Sequence, residues 1–130
     1  AMVDSFFDQL IEWAATPRWS GSGFTRLAVE LADLPGHPAR AIAARAKGVT
    51  ESWLTGLLAE GGVGPAAEMA RAIMLLMEGA MALMLIHGDR AYGRSAAAVA
   101  RTLLSAVARP AGGRAGSGPR AGAGPSRRRK

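Results

Sequence analysis

The stretch PAAEMARAIMLLMEGAMALMLIHG, residues 65–88, decides how this chain folds. Five of the chain's six methionines lie in it. Projected at about 100° per residue, Met69, Ile73, Met74, Met77, Met81 and Met84 share one broad face. Ala72, Leu76, Gly79, Leu83 and Ile86 fall on another, and Arg71 and Glu78 share a narrow polar strip. A helix this apolar all round is buried on nearly every side, so the stretch predicts a central core helix. Its faces suggest two further roles. Thioethers fill irregular space and re-pack, so the methionine face can line an adaptable apolar cavity. The Gly/Ala/Leu face can admit another helix at close range. Gly79 supports this, because a mid-helix glycine costs about 1 kcal/mol against alanine. The run from Ile73 to Ile86 is 14 residues, roughly 21 Å as helix. A bilayer core needs roughly 30 Å, and Glu78 would sit near its middle. No membrane partner is expected.

The flanking segments supply the neighbours of this helix. Phe6, Leu10, Ile11 and Ala14 recur at helical spacing, with Val3 and Phe7 beside them, and predict a first helix over about 4–15. It stops at Thr16-Pro17, since the residue before proline avoids helical angles. A second, short helix runs from about 23 to 33 on Phe24, Leu27, Ala28 and Leu31, with Ser22 as its cap. His37-Pro38 opens a third helix, where proline suits the first helical position. Ile42, Ala46, Val49, Trp53 and Leu57 form its stripe, with Leu54 and Leu58 alongside, and Gly61-Gly62 ends it. After Gly88-Asp89 comes a fifth helix with a narrow stripe of Tyr92, Ala96, Val99, Leu103 and Val107; Pro110 ends it. The chain contains no internal repeat and no useful strand-period segment. The predicted class is all-α, a single five-helix domain over residues 1–108.

Composition divides the chain at that boundary. The net charge is +6, but residues 1–108 hold nine Lys/Arg against ten Asp/Glu, while 109–130 hold seven Lys/Arg and no acid. The folded part is close to neutral and the basicity belongs to the tail. Residues 109–130 are Ala, Gly, Pro, Ser and basic residues, which cannot offset their ordering entropy; a disordered tail is predicted. There is no cysteine, hence no disulfide, thiolate metal site or cysteine nucleophile. With no basic region ahead of an apolar run at the N-terminus, a cytoplasmic location is the expectation.

Catalytic chemistry finds little to work with. His37 and His87 stand at helix boundaries, with no acidic cluster at metal-ligand spacing. Ser20 and Ser22 lack the strand–turn–helix context of a nucleophile elbow. No enzyme, cofactor or metal is expected. Glu78, an acid in an apolar helix, can pair with a neighbouring helix, touch a ligand or face a rim. Trp13, Phe24 and Trp53 could line a pocket with the methionines, or simply pack in the core. The terminal RRRK could grip phosphates through counterion release, or serve only to solubilise.

Residues 21–60 read GSGFTRLAVELADLPGHPARAIAARAKGVTESWLTGLLAE. This resembles the C-terminal regulatory domain of TetR-family transcriptional regulators. That family often shows a Gly-Cys-rich loop and Phe, then Ala-Glu-Leu, then His-Pro-Ala-Arg opening a long helix with a Trp-Leu pair. The matching positions are Gly21 to Phe24, Val29 to Leu31, His37 to Arg40 and Trp53-Leu54. MLLMEGAMALMLIHGD, residues 74–89, is similar to the family's apolar helix ending in His-Gly-Asp. The likeness covers about residues 4–108.

The resemblance implies a five-helix regulatory bundle of the TetR C-terminal type, in which a small apolar or amphipathic effector enters the helical core. Its ligand-binding residues would be Trp13, Phe24, Leu27, Trp53, Met74, Met77 and Met81. The last two helices would pair with those of a second subunit in a homodimer, through Leu76, Gly79, Leu83, Tyr92, Ala96, Val99 and Leu103. Effector binding would change the separation of two DNA-reading heads in a repressor. The family's helix-turn-helix domain does not match any of these 130 residues, so operator DNA is expected to be contacted only through such a domain, not present in this chain. Ser22 stands where a cysteine is common, so no thiol sensing belongs there. The alternative reading is a headless helical interaction protein that pairs with intact regulators without a small-molecule ligand. A third is non-specific nucleic-acid binding by the tail.

Overall fold

A computed structural model describes residues 2–108; the basic tail, 109–130, lies outside the described residues. The described chain is five α-helices and no strand: α1 Met2–Ala14, α2 Gly23–Glu30, α3 Pro38–Glu60, α4 Ala66–His87 and α5 Ala91–Ala108. The fold class is therefore all-α, as the periodicity predicts.

Local chemistry sets the boundaries. The Ser22 hydroxyl caps α2, accepting from Thr25 N at 3.4 Å. His37 caps α3 through Nδ1, which accepts from Ala39 N at 3.1 Å, ahead of Pro38 at the first helical position. Gly88 ends α4 in the left-handed region at φ 63°, its N–H donating to Met84 O. α2 ends at Glu30, three residues short of the expected Asp33. Leu34 precedes Pro35 and is barred from helical angles. Residues 31–37 instead step through tight turns, with Leu34 N donating to Leu31 O and His37 N to Leu34 O, both at 2.9 Å.

α4 is the hub. It packs on α1, α3 and α5, and Met69, Ile73, Met74, Met77, Met81 and Met84 are all buried, with Ala70 and Ala80 between them. Phe7 from α1 and Leu54 and Leu58 from α3 close the same core. The fully buried residues of α5 are all small, Gly93, Ala96, Ala97 and Ala100, with the partly buried Tyr92, Leu103 and Leu104 packed against the same core. The opposite side of α4 is open, with Leu75 and Ile86 each 70% exposed. By length and composition alone, α4 is long and apolar enough to cross a membrane, with 44% of its most apolar window buried inside the bundle; a core helix passes the same test.

α3 turns a different face inward from the one its stripe implied. Ile42, Val49 and Trp53 are exposed, at 48%, 70% and 54%, while Ala43, Leu54 and Leu58 are buried. The buried row sits about one residue position, about 100°, round the helix from the expected stripe. The inward row sets Leu54 and Leu58 into the core built on α4. It also brings Lys47 to Glu78 and Glu51 towards Arg71, both acceptor and donor standing on α4.

Candidate functional site

α2 contributes no buried residue, and α3 is the helix it packs against. What ties it to α4 is polar. Thr25 Oγ1 donates to Glu78 Oε2 at 2.7 Å. Lys47 donates to Glu78 Oε1 and, at 2.9 Å, to Ser22 Oγ. One cap residue, one α3 lysine and one α4 glutamate thus form a latch under the short helix. The Lys47 and Glu78 side chains are each 29% exposed, sheltered enough for the pair to hold geometry and wet enough to open. A hydroxyl beside a lysine suggests a nucleophile at first sight. Here Lys47 donates to both neighbours, and Ser22 Oγ already accepts from Thr25 N, so the arrangement spends its protons on structure.

Space lies on both sides of the latch. Between α2 and the α3/α4 pair is an open cavity of about 680 Å³, walled by Phe24, Ala28, Val29, Ala43, Met74 and others, with Arg40, Lys47 and Glu78 among its lining. On the other side of α2, about 230 Å³ is lined by Gly21, Arg26, Met81 and Leu85, and shares Thr25, Val29 and Glu78. Gly21 sits at φ 81° with Leu85 Cδ2 3.4 Å from the position of a Cβ, so only glycine suits this corner.

The residues expected to hold a ligand are dispersed. Phe24 and Met74 line the larger cavity and Met81 the smaller. Met77 is packed in the core, 8% exposed. Leu27 lies on the outer part of α2 and lines neither. Trp53 belongs to a separate groove of about 230 Å³ with Met2, Phe6 and Leu57, between α1 and α3. Trp13 stands at the end of α1, 46% exposed, edge-on to Trp19 at 5.6 Å. Sequence reasoning gave Ser22 only its capping role and missed Thr25, Arg40 and Lys47 as site residues. The signal for Lys47 was available: it shares the helical row of Ala43, Leu54 and Leu58.

The residues expected to pair subunits do converge. Leu76, Gly79, Leu83, Tyr92, Ala96 and Val99 line one shallow groove of about 250 Å³ along α4 and α5, with Leu75 at its edge. Leu103, half-buried, lies one turn beyond Val99 on the same stripe. His87 stacks on Tyr92 at 5.3 Å and 20°, at the end of this face. Among the described residues no three His, Asp or Glu side chains gather as a metal would need.

No protein-family model, curated protein or solved structure matches this chain.

Proposed function

We propose that this chain is the effector-sensing and dimerisation domain of a TetR-like transcriptional repressor, binding a small apolar or amphipathic ligand. The observation that carries the reading is the double use of α4. One side of the helix puts Met74 and Glu78 into the cavity beneath α2. The other puts Leu75, Leu76, Gly79 and Leu83 into an uncovered apolar groove shared with α5. A helix placed in this way couples a ligand to a subunit contact, since any shift that accommodates the ligand moves the groove on its far side.

The groove supports the second half of the proposal. Exposed leucines and valines along two adjacent helices form the kind of apolar patch that marks an interaction surface. A two-fold axis along them would make the contact self-complementary, a four-helix interface with two helices from each subunit. Contact with operator DNA would belong to a helix-turn-helix domain and is no part of what residues 1–108 are proposed to do.

A thermal-shift series with apolar and amphipathic compounds, paired with sedimentation of the free and ligand-bound chain, tests this reading. The expected result is a homodimer at micromolar concentration and a rise in melting temperature with at least one compound class. A monomer that no compound stabilises would overturn it.

A further inference from the structure

The cavity beneath α2 carries an imbalance in its polar groups. Glu78 has both oxygens engaged, Oε2 by Thr25 and Oε1 by Lys47. Two of the three Lys47 donors go to Glu78 and Ser22. Arg40 is different. It lines the same cavity from the first turn of α3 and is half-buried. Its backbone N–H donates to His37 O at 3.1 Å, yet its guanidinium makes no hydrogen bond or ion pair with any described residue. A guanidinium offers five donors in a planar fork that matches a carboxylate. The rest of the wall is apolar: Phe24, Ala28, Val29, Ala32, Ala43 and Met74.

We infer that this cavity takes an anionic amphiphile, an apolar chain or ring ending in a single carboxylate, with the head on Arg40 and the tail along α2 and Met74. The inference rests on the effector-sensing reading above and narrows its ligand. Charge decides the sign. The cavity's ionic lining is two cations, Arg40 and Lys47, against one carboxylate, Glu78. A cationic head would have to share a glutamate already bonded at both oxygens, and would face Arg40 besides. A neutral head would leave the guanidinium without a counter-charge. A carboxylate meets the one unspent ionic group and leaves the latch intact. The tail then covers Phe24 and Val29, which are 46% and 68% exposed without it.

Calorimetric titration of the full chain with decanoate, decanol and decylamine, each below its micelle concentration, tests the assignment. Decanoate should bind tightest, and its affinity should fall with added salt while that of decanol does not. Arg40→Gln should weaken decanoate about tenfold or more and leave decanol unchanged, with Arg40→Lys in between. Arg40 bonds to no other side chain, so Arg40→Gln should keep the wild-type melting temperature; the salt series reads the same charge without any substitution. Decanoate and decanol binding equally, with no effect of salt or of Arg40→Gln, would overturn the anionic head while sparing the apolar-ligand reading. Decylamine binding best would also overturn it. If neither decanoate nor decanol binds, the inference and the reading beneath it both fall.

Discussion

A Cβ built on Gly93 would stand 2.5 Å from Ile11 Cγ1 and 3.2 Å from Met84 Sδ, whereas one on Gly79 would meet nothing within 4 Å. These two glycines, one in α5 and one in α4, therefore answer to different demands. Gly93 lets α5 lie against α1 and α4, and Gly93→Ala should push α1 outward at a cost of about 1–3 kcal/mol. Gly79 pays the helix penalty with no neighbour in its own chain to justify it. In the isolated subunit Gly79→Ala should stabilise α4 by up to about 1 kcal/mol. If a second copy packs against that face, the gain should shrink or reverse as protein concentration rises into the dimeric range. Urea denaturation of both variants at two concentrations reads the difference. A gain for Gly79→Ala that is the same at both would mean that nothing docks there.

α2 is the element with least holding it. It buries no side chain, and local stability follows buried apolar contact. Its amides should exchange fastest among the five helices, and those of α4 slowest. The latch makes this adjustable. Glu78→Ala leaves Lys47 and Thr25 without their acceptor at a sheltered site and should cost about 1–3 kcal/mol. Much of that loss should appear as faster hydrogen exchange over Gly23–Glu30 rather than as unfolding of the bundle. Equal protection of α2 in both proteins would show that apolar contact, not the latch, holds the helix. The same element shows where periodicity misleads. The α2 stripe of Phe24, Leu27, Ala28 and Leu31 has the spacing of a core face, yet Phe24 and Leu27 remain 46% and 36% exposed. Spacing identifies an apolar face and leaves open whether protein, ligand or solvent covers it.

For the molecule as a whole, the uncovered groove and the basic tail make separate demands. Val99, 47% exposed, lines the groove without entering the core. Val99→Glu should leave the monomer's stability within about 0.5 kcal/mol of wild type while placing a desolvated, unpartnered charge in the seam of a dimer. Sedimentation should then show monomer. A Val99→Glu chain that stays dimeric would put the interface elsewhere. The tail contributes seven positive charges and no apolar side chain larger than alanine beyond proline. Removing residues 111–130 should barely move the melting temperature, and a drop of more than a few degrees would mean that the tail docks. Any heparin binding should disappear with it and fall steeply with salt.

The sequence by itself determined the five helices, nearly to their ends, because the signals are local: Ser22 as a cap, Pro38 at a first turn, and Gly61-Gly62 and Gly88-Asp89 as stops. It also determined that α4 is central, since its methionine face has to leave water, but the expected burial on nearly every side is not met: the opposite, leucine-bearing side stays open, with Leu75 and Ile86 each 70% exposed. It isolated Glu78 as a residue needing an explanation and grouped the α4/α5 residues that share one groove. Only the tertiary structure decided which side of α3 faces in. Two apolar rows lie next to each other on that helix, and the choice between them depends on how Leu54 and Leu58 pack against a core built on other helices, where Lys47 also reaches Glu78. For the same reason the candidate site could not be read in advance. Trp13, Trp53 and Phe24 have equal claim as aromatic pocket walls in a linear chain, but three-dimensional packing sends them to three different places. Thr25, Arg40, Lys47 and Glu78, up to 53 positions apart in sequence, line one cavity only because α2 folds back onto α3 beside α4.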